Sequence, residues 1–264
     1  MKDIQSKADH RQIDIDQVGV CDLRYPIVVW DRANAKQGTV AQLEMSVNLP
    51  HHFKGTHMSR FVELLNRHRG EVTLHTVPTI LREMKERLDA ESARLEVRFP
   101  YFLERAAPAT GQSGLMDYEC WFIGEASAQG DDFILGVKVP VTSLCPCSKA
   151  ISDYGAHNQR GLITIEVRTR PDAEGRPTFM WIEELVEVAE ASASAPVYPL
   201  LKRADERFVT MQAYDNPVFV EDMVRNVAAR LQEDARVGWF HVHAVNHESI
   251  HNHGAFARIR WQRP

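Results

Sequence analysis

The chain has 264 residues, long enough for one large domain or two smaller ones packed together. Its hydrophobic content of 44% and charged content of 25% are ordinary for a globular protein, and a formal net charge of −5 excludes a surface built as a whole to bind nucleic acid. No apolar run reaches membrane-spanning length, so neither nucleic acid nor a membrane is an expected partner.

The start, MKDIQSKADHRQIDID, is polar, mixed in charge and without the apolar stretch of a signal peptide. Residues 1–22 are expected to form a flexible arm of a cytoplasmic protein. Cys21, Cys120, Cys145 and Cys147 are too few for a disulfide framework, which agrees with that compartment. Residues 26–30 (PIVVW) are a compact apolar run. Over 40–47, Leu43, Met45 and Val47 alternate with Glu44 and Ser46, the period of a half-buried strand. Two helices are expected next, over 58–67 (Phe61, Val62, Leu64, Leu65) and 79–90 (Ile80, Leu81, Met84, Leu88). Strands return at 94–103 and 117–126, with a Gly-rich turn at 111–114 between them.

Residues 132–141 and 161–168 read as strands. A helix is expected over 180–192, where Ile182, Leu185, Val186 and Ala189 align, and a stronger one over 218–232. Asn216-Pro217 resembles a start signal for the second, an N-cap before a first-turn proline. Strands at 237–246 and 255–262 close the chain. The order is strand-strand-helix-helix-strand-strand, twice. It predicts an α+β fold with antiparallel sheet and helices on one face, divided into modules at 23–130 and 131–264. Open sheet edges are usually covered or paired, which predicts an oligomer whose sheets join between subunits into a barrel.

Three segments carry chemistry. Val139 to Gly161 links two strands by a loop long enough to suggest function and holds Cys145, Cys147 and His157. Two ordinary thiols are the plain reading of Cys-Pro-Cys; a bridge between them would close a strained ring. Val245 to Ala255 gathers His247, Glu248, His251 and His253, and on a helical turn Glu248 and His251 would share a face. The plain alternative is a solvated turn. Lys202 to Glu221 supplies Glu206 and Glu221; an acid at Glu221 also suits the positive end of a helix. Thiolate, imidazole and carboxylate together suit zinc, iron or manganese better than magnesium or calcium. Three protein ligands and one open position are the layout of a hydrolytic metal site.

SLCPCSKAISDYGAHNQRG (143–161) resembles the signature of the type IB GTP cyclohydrolases. KGTHMSRF (54–61), YPLLKRADERFVT (198–210), NPVFVEDMVRNVA (216–228) and ESIHNHGAFA (248–257) match that family in the same order. The resemblance implies the tunnelling fold, with two ββααββ modules per subunit and a homotetramer. It implies hydrolysis of GTP to 7,8-dihydroneopterin triphosphate and formate, the first step of tetrahydrofolate synthesis. It further implies one divalent metal (zinc, iron or manganese) per active site, on Cys145, His157 and Glu206. Glu221 is then the anchor for guanine, and Glu248 and His251 are acid/base or metal-facing groups. Lys149, Arg160, Lys202 and Arg203, with His57 and Arg60 from another module or subunit, are implied for the triphosphate. Met211 stands where relatives often carry glutamate. Two rival readings are a nitrile reductase of the same superfold, with a nucleophilic cysteine, and a non-catalytic metal-binding protein. A cyclic-phosphate product is a variant of the first reading.

Overall fold

In the computed structural model, residues 5, 7–68, 71–73 and 75–264 are described. The chain divides into two compact units. Unit 1 holds residues up to Pro100 together with Trp121–Ile134; unit 2 holds Tyr101–Cys120 and Leu135–Pro264. The division crosses three strands, β3 (Ala93–Ala106), β4 (Ser113–Ser127) and β5 (Gly130–Leu144), and so differs from a cut at residue 130.

Unit 1 begins with β1 (Ile15–Asp31) and β2 (Ala35–Leu49), paired antiparallel. Ala41, Leu43, Met45 and Val47 are buried, and the residues between them up to Glu44 are exposed, so the period of two faces a core. That core is completed by α1 (Met58–His68), through Phe61, Leu64 and Leu65, and by α2 (Val77–Leu88), through Ile80, Leu81 and Met84. Pro78 lies in the first turn of α2, where a missing N–H costs nothing, and Asp89 ends the helix in the left-handed region at φ 52°. β2 pairs onward with β3, Ser46 lying opposite Arg94.

The segment expected as an arm is in part built into this unit. β1 starts at Ile15, opposite Leu49. Ahead of it, Lys54 N–H donates to Lys7 O at 3.0 Å and Gly55 N–H to Gln5 O at 3.2 Å. The strand was hidden because its first residues are exposed and its register shifts twice, between Ile15 and Val18 and between Val20 and Leu23, which destroys alternation. Gly19 sits between these shifts. A Cβ there would lie 1.8 Å from Met45 O, so only glycine lets the two strands approach.

Unit 2 continues the antiparallel pattern in the order β5, β6 (Asn158–Thr169), β8 (Val237–His247), β9 (Ala255–Gln262), with β7 (Ala195–Pro196) on β5. Val137, Val139 and Val141 of β5 meet Ile165, Ile163 and Gly161 of β6, and Ile165 and Ile163 meet Val242 and Ala244 of β8. This row is buried under α4 (Ile182–Glu190) and α6 (Val220–Glu233), through Leu185, Val186, Met223, Val224 and Val227. The expected α+β class, antiparallel sheet and doubled element order therefore stand, with three additions: α3 (Pro146–Ile151), the short strand β7 and α5 (Arg203–Asp215). Among the described residues no helix is long and apolar enough to cross a membrane.

The start of α6 is not at Asn216-Pro217. Asn216 closes α5, its N–H donating to Gln212 O at 3.1 Å and its side-chain amide to Ala193 O at 2.9 Å. Val218 N–H is drawn to Leu144 O at 3.1 Å, which keeps the chain extended until Phe219. The N-cap signal is instead an acid three residues on. Asp222 accepts from Phe219 N–H at 3.3 Å, Asp205 from Lys202 N–H at 2.9 Å in α5, and Glu184 from Trp181 N–H at 2.8 Å in α4.

Asp205 does more than cap α5. It is fully buried and also accepts from Ala109 N–H and Thr110 N–H, both at 2.8 Å, and from the Thr110 hydroxyl at 2.7 Å. Burial alone would push its carboxyl up, but these donors outweigh it and hold the carboxyl down at about 2. A carboxylate depressed in the fold stabilises it above the unfolded value and loses that contribution as pH falls through the folded value. Unfolding by urea should therefore show wild type more stable than Asp205→Asn above about pH 4, with the difference shrinking as pH falls toward 2. A Gly19→Ala chain should lose about 1–3 kcal/mol by the same assay.

Candidate functional site

The end of the β5–β6 ladder holds the site. Leu144 lies opposite Asn158, and one rung further Cys145 N–H donates to His157 O at 3.1 Å. Cys145 then turns out of the strand as the N-cap of α3, with Pro146 in the first turn where no N–H is needed. Ser148 stitches the loop. Its N–H donates to Cys145 Sγ at 3.4 Å, its hydroxyl donates to Cys145 O at 3.2 Å, and the same oxygen accepts from His157 N–H at 3.2 Å. The main chains of a cysteine and a histidine twelve residues apart in the chain are thus held side by side by backbone and serine bonds.

The imidazole is fixed in turn. His157 Nδ1 lies 2.7 Å from Gln159 Oε1 and 3.4 Å from Ser249 Oγ. The second contact brings the segment after β8 to the same place. That segment is a bend rather than a helical turn, so the shared helical face expected for Glu248 and His251 does not arise. Glu248 is half-buried; His251 and His253 are exposed and stack with ring centroids 5.1 Å apart. His247 is also exposed, opposite Arg160 of β6. His241 and His243 lie further along β8 on the same face as His247, away from the buried Val242 and Ala244, and His241 Nδ1 is 3.1 Å from Glu166. Burial, helped by Arg258 and His241, holds His243 below its ordinary value.

Helix α6 is tied to the same strand end. Ser143 hydroxyl donates to Val218 O at 3.0 Å, beside the Val218 to Leu144 bond, and Glu221 stands exposed on the first turn that follows. Glu206 is exposed on the first turn of α5, next to the buried Asp205. Lys202 and Arg203 are exposed at the start of α5, and Arg160 is exposed on β6. Lys149 is engaged: its ammonium donates to Tyr214 O and lies 4.2 Å from the centre of that ring. His57 and Arg60 belong to unit 1, where Arg60 donates to Arg87 O at 2.8 Å.

Cys145 and His157 are therefore brought together, and Glu206 is not added to them. Among the described residues no three of His, Cys, Asp and Glu are grouped closely enough to hold a metal ion. The pair itself fits a metal of intermediate softness, a thiol on a half-buried residue and an imidazole whose Nδ1 is engaged by Gln159, so that Nε2 is the ring nitrogen left to coordinate. Gln159, Ser143 and Asp205 were not singled out from sequence. Gln159 was legible in principle, as the residue two beyond a candidate histidine on a strand and hence on its face.

Residues 1–257 match the family model described as type I GTP cyclohydrolase folE2. The chain is 56% identical over 257 residues to the GTP cyclohydrolase FolE2 of Methylococcus capsulatus, covering 97% of this chain and 93% of that one. It is 52% identical over 259 residues to the FolE2 of Syntrophus aciditrophicus, covering 98% and 99%. Among solved structures it resembles the uricase of Arthrobacter globiformis, with a TM-score of 0.52 at 9% identity over 94% of this chain and 93% of that one. The urate oxidase of Bacillus subtilis gives a TM-score of 0.53 at 7% identity over 94% and 98%. These two likenesses show a shared fold alone.

The four thiols differ in access. Cys21 and Cys147 are exposed, Cys145 is half-buried behind its Ser148 bond, and Cys120 is buried, with burial pushing its thiol well up. Under native conditions iodoacetamide should modify Cys147 and Cys21 first, Cys145 more slowly and Cys120 last, as read by mass spectrometry of peptides over time.

Proposed function

The chain belongs to the type I GTP cyclohydrolase FolE2 family, and from that premise we propose that it hydrolyses GTP to 7,8-dihydroneopterin triphosphate and formate at the entry to tetrahydrofolate synthesis. The observation that carries the reading is the juxtaposition of Cys145 and His157 at the end of the β5–β6 ladder, with the helix bearing Glu221 tied to the same strand end. This is the type IB form of the reaction, in which the metal is held by a cysteine.

Cys145 Sγ and His157 Nε2 would hold one divalent ion (zinc, iron or manganese), and Glu206, which is not grouped with them in the structure, would have to be brought in as the third donor. The ion would supply Lewis-acid activation of the water that adds at C8 of the guanine ring. Glu221 accepts two parallel N–H donors, N1–H and the exocyclic amine. Adenine offers no such pair, so this edge selects guanine. His251, on the bend after β8, gives the proton at N7 that lets the imidazole ring open, and Glu248 serves beside it in proton transfer. The triphosphate is met by Lys202 and Arg203 at the start of α5 and by Arg160. Lys149 can join only by giving up its hold on Tyr214. His57 and Arg60 reach a site from a neighbouring copy in a homotetramer whose sheets join as a tunnelling-fold barrel. The setting for such chemistry is the cytoplasm.

Metal-loaded protein incubated with GTP should release formate and give a fluorescent pterin after oxidation. Cys145→Ala and chelator should each abolish both products, and Glu221→Gln should lower kcat/KM for GTP by roughly 100-fold or more. Turnover of GTP that survives chelation would count against the metal reading. A nitrile-reducing activity with NADPH and no GTP turnover would replace it by the rival with a nucleophilic cysteine.

A further inference from the structure

We propose that Gln159 is the positioning residue that fixes the tautomer of His157, holding the proton on Nδ1 and leaving Nε2 as the free donor. Ser143, 1% exposed, has one hydroxyl proton and faces three polar groups: Val218 O at 3.0 Å, Asn246 Nδ2 at 3.0 Å and Gln159 Nε2 at 3.5 Å. Val218 O is a carbonyl and can only accept, so it takes the proton. The serine oxygen is then left to accept from its other two neighbours. Asn246 and Gln159 must both turn their amide nitrogens toward it.

That requirement favours one direction for Gln159, a residue only 8% exposed, whose Nε2 makes the longest of the three contacts to Ser143 at 3.5 Å. With Nε2 committed to Ser143, its oxygen is the atom that meets His157 Nδ1, 2.7 Å away. An amide oxygen only accepts, so Nδ1 carries the hydrogen. Ser249 Oγ, 3.4 Å from the same nitrogen and exposed, makes the longer of its two contacts, so the 2.7 Å contact with Gln159 governs. The order of protonation thus runs from a main-chain carbonyl at the start of α6, through Ser143 and Gln159, to the ring of His157. A neutral histidine in water favours neither outcome strongly; here the buried chain of donors chooses.

The consequence for metal binding rests on the reading of His157 as a ligand. The assignment of the tautomer does not, and the experiment separates them. In metal-free wild type, at a pH well above the ordinary imidazole value, two-bond 1H–15N correlations should show His157 protonated at Nδ1. Gln159→Leu removes the acceptor and should shift the ring toward the Nε2–H form. It should also weaken zinc binding against a competing chelator by roughly 10- to 100-fold, with the unfolding midpoint monitored as a control. Gln159→Glu keeps an oxygen acceptor for Nδ1–H and should retain both the tautomer and most of the affinity. A wild-type ring protonated at Nε2, or a Gln159→Leu protein with tautomer unchanged, overturns the proposal. If the tautomer follows expectation while neither His157→Ala nor Gln159→Leu weakens zinc binding, the positioning stands and the metal-ligand reading falls.

Discussion

The last rung of the β5–β6 ladder, from Cys145 N–H to His157 O, is the contact on which the site depends. Without it a twelve-residue excursion would leave a thiol and an imidazole at the two ends of a loop with many conformations, and ordering them would cost entropy for each residue fixed. The ladder has already fixed both ends. Cys145 and His157 inherit strand geometry from Leu144 and Asn158, and Ser148 closes the loop from inside by bonding both. The donor pair is therefore set by sheet register rather than by a loop.

Register also explains what lies beneath the pair. Ser143 and Gln159 face one another two residues below, and Gly161 and Asn246 face one another two residues further along β6. All are buried on the helix-covered face, where the rest of the row is valine and isoleucine. A polar layer in such a place costs least when its members satisfy one another, as Ser143 does with Asn246 and Gln159, while Asn246 Oδ1 is left buried without a partner. Gly161 takes part by absence: a Cβ there would lie 2.9 Å from Asn246 Oδ1. The site is thus built where an apolar core changes to polar packing within two residues of a strand end.

How much of this was legible follows from which signals are local. β2, α1, α2 and α6 bury one face at their natural period, so alternation or a helical stripe announced them. α5 buries only Asp205 and Ala213, has no apolar stripe, and was invisible to periodicity even though it carries Glu206, Lys202 and Arg203. Its anchor is a carboxylate reaching the β3–β4 turn about a hundred residues earlier in the chain, a pairing no window can see. Asn216-Pro217 misled for a related reason. Its local meaning as a helix start was overridden by the bond of Val218 to Leu144, which belongs to the tertiary structure. Cys145 and His157 were legible as chemistry. For Gln159 only the placement was legible, from its spacing to His157; its role depends on which way an amide faces, and that is decided by a serine on another strand.

The segments that bring chemistry to this place are held with unequal firmness. Cys145 and His157 are fixed by the ladder, and the start of α6 by Val218 and Ser143. The start of α5 is fixed by the four donors to Asp205. The bend after β8 meets His157 through Ser249 at 3.4 Å, an exposed contact, and His251 and His253 on it are exposed. Opening that bend breaks exposed contacts, whereas shifting any of the others breaks buried or half-buried ones. A division of labour follows from the energetics. Groups that must keep a fixed geometry, the donor pair and the carboxylate proposed to select guanine, stand on the anchored elements. Groups proposed to carry protons, which must approach and withdraw as a ring opens, stand on the element that moves at least cost.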